Sequence, residues 1–92
     1  MDRPAAEHPA RVRLLTRPGC HLCDEARAVV EAVCAEAGET YEEVDVDAPE
    51  ADPAMRRRYT DEVPVTFVDG AQHDYWRVDP GRLRTALTRA RA

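Results

Sequence analysis

The 92-residue sequence predicts a single α/β domain in the order β-α-β-α-β-β-α, and three observations carry that expectation. Two short strand-like runs flank one long amphipathic helix pattern, which makes a βαβ unit. An Asp69-Gly70 pair joins two further strand-like runs and marks a hairpin. Asp52-Pro53 and Asp79-Pro80 each supply an N-cap followed by a first helical residue. A chain of this length folds on one core, without a second domain.

Residues 1–10, with Pro4 and Pro9 and no periodicity, are expected to be a flexible N-terminal tail, and residues 11–92 the domain. The first strand runs from about Arg11 to Thr16, after which Pro18-Gly19 turns the chain into a helix. From Cys20 to about Ala37 the apolar positions Cys23, Ala26, Val30, Val33 and Ala37 recur at steps of three and four, and Gly38 closes the helix. Thr40 to Val46 alternates polar and apolar residues as a second strand, parallel to the first because a crossover helix separates them. A short helix extends from Asp52-Pro53 to about Tyr59. Val65 to Val68 forms the third strand, and Pro64, which cannot donate to a ladder, suits its start. The fourth strand runs from Ala71 to about Trp76. Leu83, Ala86, Leu87 and Ala90 then form the apolar stripe of a last helix.

A net charge of −5, with thirteen Arg and no Lys, argues against a general nucleic-acid binder. The first ten residues lack the apolar core of a signal peptide, and no run approaches the ~18 apolar residues of a membrane span. A cytoplasmic protein is expected, without a nucleic-acid or membrane partner. No large apolar surface is declared, which suits a monomer.

Chemistry concentrates at Cys20-His21-Leu22-Cys23, where the first strand gives way to the long helix. Positions i and i+3 of a helix share one face, so these thiols can close a disulfide within a turn. Cys20 falls at the helix N-terminus, where unpaired N–H groups and the macrodipole favour a thiolate. In a reducing cytosol, three cysteines are no structural disulfide framework, and a C-x-x-C beside a βαβ pattern reads as redox chemistry or a metal site. Structural zinc wants four ligands, and neither a second C-x-x-C nor a spaced His pair exists. The haem-attachment pattern fails because Asp24, not His, follows Cys23. Cys34 lies eleven residues beyond Cys23 in the same helix, ~16 Å away at the helical rise of ~1.5 Å per residue, beyond the ~7 Å reach of a disulfide. It reads as a small buried apolar side chain.

The element order, the Arg17-Pro18-Gly19-Cys20-His21-Leu22-Cys23-Asp24-Glu25-Ala26 run, the Val63-Pro64-Val65 run and the Asp69-Gly70 turn together resemble the thioredoxin fold and, within it, small glutaredoxin-like proteins. The resemblance covers roughly Arg11 to Ala90. It implies a four-stranded mixed sheet with helices on both faces. It further implies Cys20 as the exposed nucleophile and Cys23 as the resolving thiol, the two forming a redox-active disulfide. By the same resemblance Pro64 is cis and faces that disulfide, and the Val63 backbone pairs with an extended substrate. Arg17 stands where glutaredoxins carry a cation near bound glutathione, and a histidine occupies the position of His21 in several thiol oxidoreductases; both enter the expected substrate-binding set with Val63 and Pro64. A protonated His21 would favour the thiolate, whereas Asp24 and Glu25 would oppose it.

The sequence departs from the glutaredoxin pattern at two places. The paired glycines that let a backbone approach glutathione are replaced by His73-Asp74-Tyr75-Trp76-Arg77-Val78-Asp79, and the threonine before Val-Pro is Glu62. No cofactor is expected beyond glutathione held weakly. The leading function is a thiol–disulfide oxidoreductase acting on disulfides of proteins or small thiols, with a reductase system as its partner. Two other classes stand beside it: an iron–sulfur or metal carrier using Cys20 with glutathione, and a non-catalytic partner-binding module using the Val63-Pro64 groove.

Overall fold

The computed structural model describes residues 10–89. Along them run strand β1 (Val12–Thr16), helix α1 (His21–Ala37), strand β2 (Tyr41–Asp45), helix α2 (Pro53–Tyr59), strands β3 (Val65–Val68) and β4 (Ala71–Tyr75), and helix α3 (Pro80–Leu87). The expected tail lies outside the described residues but for Ala10. So does Ala90, expected on the last helical stripe; α3 ends at Leu87, with Thr88 as its C-cap.

The four strands form one mixed sheet in the order β2-β1-β3-β4. β1 and β2 are parallel, in register from Val12↔Tyr41 to Thr16↔Asp45, whereas β3 runs antiparallel to both β1 and β4. Local chemistry fixes the joints. Gly38 is left-handed at φ +69° and closes α1, and Asp69 and Gly70, at φ +51° and +85°, make the β3–β4 turn. The Asp52 carboxylate accepts the Ala54 N–H, and that of Asp79 accepts the Gly81 and Arg82 N–H groups.

The hairpin holds one irregularity. Phe67 pairs with Gln72 but Thr66 pairs with Asp74, so His73 is an extra residue in β4.

Period-two alternation divides the interior. Val12, Leu14 and Val68 face α1 and α3 and join Val30, Val33, Cys34 and Leu83 in the larger core. Leu15 and Val65 face the other way and join Val46, Val63 and Cys23 in a smaller core, with Met55, Tyr59 and Phe67 packed at its edge. The first turn of α1 thus belongs to the small core and its later turns to the large one. The helix crosses the sheet's end at the cysteines.

Arg11, read from sequence only as the start of a strand, is a buried cation. Its Nε and Nη2 fork onto Asp69 at 3.0 and 2.9 Å, Nη1 reaches Glu39 and Leu87 O, and Nη2 also reaches Arg89 O. All five guanidinium N–H donors are used. The hairpin turn, the end of α1 and the end of α3 are tied together at one point.

Candidate active site

The site begins at the C-terminal end of β1, where Gly19 turns the chain at φ +73°. That turn delivers Cys20 in extended conformation as the N-cap of α1. Its Sγ takes the role a Ser or Asp oxygen usually plays, accepting the Cys23 N–H at 3.1 Å. Cys20 and Cys23 form a disulfide with Cα atoms 5.1 Å apart, inside the normal range for such a bridge. Their surroundings differ: Cys23 is fully buried, whereas Cys20 is partly open to solvent. On reduction the Cys23 N–H and the positive end of α1 would remain aimed at the Cys20 sulfur, an arrangement that lowers the pKa of a thiol.

Two carboxylates that would oppose that thiolate are held by arginines. Asp24 pairs with Arg27 at 2.9 Å, and Glu25 with Arg77 at 3.2 Å. Arg27 also bonds Glu43 through both Nε and Nη2; that bond, helped by one from the Thr16 hydroxyl, lowers the Glu43 pKa. His21, the first residue of α1, is exposed.

The Val63–Pro64 peptide bond is cis. Both residues are buried, and Val63 packs in the small core with Cys23, with Cys20 at its edge. The structure thus brings Cys20 and Cys23 together with Val63, the residue before the cis-proline, from two distant parts of the sequence.

Arg17, expected beside a bound thiol, is engaged within the chain. Nε and Nη2 fork onto Asp47 at 3.0 and 3.1 Å, while Nη1 and Nη2 donate to the carbonyl and hydroxyl of Thr60, both at 2.8 Å. Four of the five N–H donors are taken. The guanidinium braces the loop after β2 against the end of α2, from which the Asp61–Pro64 segment departs.

Sequence reading treated Tyr75 and Trp76 as bulk in place of glycines. The structure gives Trp76 a more definite position, in the left-handed region at φ +66°. Its backbone N–H donates to Pro64 O at 2.7 Å, and its indole Nε1 donates to Asp61 O at 3.1 Å. The ring remains 50% exposed, with the Tyr75 ring edge-on at 5.1 Å. Glu62 pairs with Arg58 at 2.9 Å. The lone thiol, Cys34, lies in the large core, where burial pushes its pKa up to about 11.

A cavity of about 330 Å³, lined by Arg13, Leu15, Met55, Tyr59 and Phe67 among others, opens under α2. Neither cysteine lines it. Among the described residues, no three His, Cys, Asp or Glu side chains are grouped to hold a metal ion, and no helix is long and apolar enough to cross a membrane.

Residues 11–88 match the sequence model of the family described as "Glutaredoxin-like domain (DUF836)". Proteins of Mycobacterium tuberculosis and Mycobacterium bovis, both described as uncharacterized, are each 37% identical over 92 residues, spanning 98% of this chain and 89% of theirs. Among solved structures, protein Ne2328 from Nitrosomonas europaea superposes with a TM-score of 0.67 at 25% identity, over 92% of this chain and 96% of that one. The X-ray structure of protein XcR50 from X. campestris gives 0.60 at 30% identity, over 84% and 95%. The thioredoxin-like protein BC3987 gives 0.55 at 22%, over 85% and 95%, a likeness of fold alone.

Proposed function

The chain belongs to the glutaredoxin-like domain family, and from that membership we propose that it is a thiol–disulfide oxidoreductase working through Cys20 and Cys23. The observation that carries the reading is the asymmetry of the pair: a partly exposed sulfur that accepts a helix N-terminal N–H, backed by a buried sulfur one turn further in. Attack on a disulfide needs an accessible thiolate, and resolution needs a second thiol that substrates cannot reach first.

The Cys20 thiolate attacks one sulfur of the substrate disulfide. A mixed disulfide forms, the second substrate sulfur leaves as a thiolate, and solvent supplies its proton. Cys23, deprotonated as it attacks, then bonds to Cys20 Sγ and expels the remaining substrate thiolate. Two electrons have passed from the dithiol to the substrate. An external dithiol or a reductase system in the cytosol returns the protein to its reduced state by the reverse exchange.

Glutathione is the weaker partner in this reading. Trp76 stands where paired glycines would admit a tripeptide, and Arg17, the cation expected to meet it, has one N–H donor uncommitted.

Trapping tests the assignment. Reduced Cys23→Ser protein, mixed with a disulfide peptide, should accumulate a Cys20 mixed disulfide visible by mass spectrometry. Cys20→Ser should lose disulfide reduction altogether, and iodoacetamide at neutral pH should label Cys20 before Cys23 or Cys34. Preferential labelling of Cys23, or full activity of Cys20→Ser, would reverse the roles. Glutathione should drive turnover without saturating at millimolar concentration; saturation at low concentration would mark an ordinary glutathione-docking enzyme.

A further inference from the structure

We propose that the cysteine end of this domain docks a basic, extended polypeptide carrying the substrate disulfide, with the Trp76 indole as the platform for a side chain beside the substrate cysteine. The inference rests on the oxidoreductase reading and adds the class of substrate.

Trp76 is an unusual residue for its place. Its backbone is left-handed, a conformation that glycine or asparagine adopts at least cost, and its ring is half exposed. Two hydrogen bonds, from its backbone N–H to Pro64 O and from its indole to Asp61 O, nevertheless hold it on the segment that contains Val63 and Pro64. On its other side Arg77 is paired with Glu25 of α1 at the surface. The indole is therefore held on the Asp61–Pro64 segment, whose Val63 packs in the small core with Cys23 and, at its edge, Cys20. Of the described residues, Trp76 and its ring neighbour Tyr75 are the large exposed apolar side chains. A rigid, immobilised aromatic face loses little entropy on binding, and it accepts either an apolar side chain or a cation.

Charge selects between these. β1 and β2 end together, with Thr16 opposite Asp45, so the acidic loop after β2 opens on the same edge as Cys20. Asp45, Asp47 and Asp61 all act on the one Arg17 guanidinium, and Glu50 and Asp61 are exposed. Three arginines at this edge are ion-paired, Arg17 on Asp47, Arg58 on Glu62 and Arg77 on Glu25. Arg56, which donates its Nε to Val46 O, and the exposed Arg57 keep their charge, against the carboxylates of Asp45, Glu50, Asp52 and Asp61. With a net charge of −5 over the chain, the field at this edge attracts cations and repels an anionic tripeptide thiol.

The test uses reduced wild-type protein and three peptides, each with one cysteine held in a disulfide with 2-mercaptoethanol. Arginine, serine or glutamate flanks the cysteine. At low ionic strength, stopped-flow reduction should be fastest for the arginine peptide, about tenfold ahead of the glutamate peptide, and 0.5 M salt should compress the gap. Trp76→Gly, which removes the ring while suiting the left-handed backbone, should slow the arginine peptide roughly three- to fivefold. The rate of Cys20 alkylation should stay unchanged. Asp61→Asn, which keeps the ring, should narrow the ratio between the charged peptides. Equal rates for the three peptides, or a lead for the glutamate peptide, would overturn the docking inference and leave the oxidoreductase standing. Failure to reduce all three peptides and 2-hydroxyethyl disulfide would bring down both.

Discussion

The two faces of the sheet are built to different standards. On one, α1 and α3 close over Val12, Leu14 and Val68, and the large core includes Val30, Val33 and the fully buried Leu83. On the other, the seven-residue α2 contributes no fully buried side chain, and a cavity of about 330 Å³ remains between Leu15, Met55, Tyr59 and Phe67. The cysteine pair belongs to this thinner side, since Cys23 packs with Leu15, Val46, Val63 and Val65. Apolar burial and the accessible sulfur thus lie on different faces. The closed face supplies most of the apolar burial, and the open one leaves the Cys20 sulfur partly exposed.

Truncating the closed face should produce the largest effect. Leu83→Ala leaves a cavity among fully buried neighbours and should cost about 3 kcal/mol, lowering Tm by more than ~10 °C for a domain of this size. Met55→Ala, at the rim of a space that is already open, should cost less than ~1 kcal/mol. Urea unfolding of the two variants makes the comparison, and equal losses would erase the distinction between the faces.

Arg11 sharpens it further. The same kind of fork is used at both ends of β1, Arg11 on Asp69 and Arg17 on Asp47, but the Arg11 side chain is 4% exposed and that of Arg17 31%. Arg11→Met removes five hydrogen bonds, to Asp69, Glu39 and two carbonyls, in a part-buried setting and should cost about 2–3 kcal/mol. Arg17→Met should cost less than ~1 kcal/mol by the same measurement, because water replaces what the exposed fork loses.

The smallest effect concerns the two kinds of cysteine. Cys34 on the closed face has its pKa raised from 9.0 to about 11 by burial, so between those values the unfolded chain releases a proton that the folded chain keeps. Stability should therefore fall as pH rises from 9 toward 11. Urea midpoints of the reduced protein at pH 8 and pH 10 should drop less for Cys34→Ala than for wild type. An identical drop in both would detach the alkaline loss from this thiol.

What could be read from the sequence was what short-range chemistry decides. Asp52, Asp79, Gly38 and the Asp69-Gly70 pair act on atoms within a few residues, and each sits where its local role places it. The C-x-x-C motif is equally local, which is why Cys20 was legible as a helix N-terminal sulfur. Arg11 was not, because its partners lie 28 to 78 residues away and nothing beside it announces them. The attachment of Arg17 to Asp47 and Thr60 was hidden as well, because it depends on how α2 ends against the sheet. The contact of Trp76 with Asp61 and Pro64 was hidden for a different reason: it depends on the phase of β4, which the extra residue His73 resets.

That single residue makes the hairpin a ruler with an odd number of divisions. Were His73 paired with Thr66 as a regular ladder requires, Tyr75 would stand opposite Pro64, and Trp76 would face Val63. With His73 bulged out, Trp76 meets Pro64, the partner its backbone N–H now uses. Deleting His73 would remove the bulge and leave Asp74 and Tyr75 opposite Thr66 and Val65 as they are now, whereas keeping His73 as a paired residue would shift each later residue of β4 by one place and so to the opposite side of the sheet. A relative of equal length but without the bulge would present a different aromatic to the same proline, so in comparing such domains the spacing from turn to tryptophan carries as much meaning as the tryptophan.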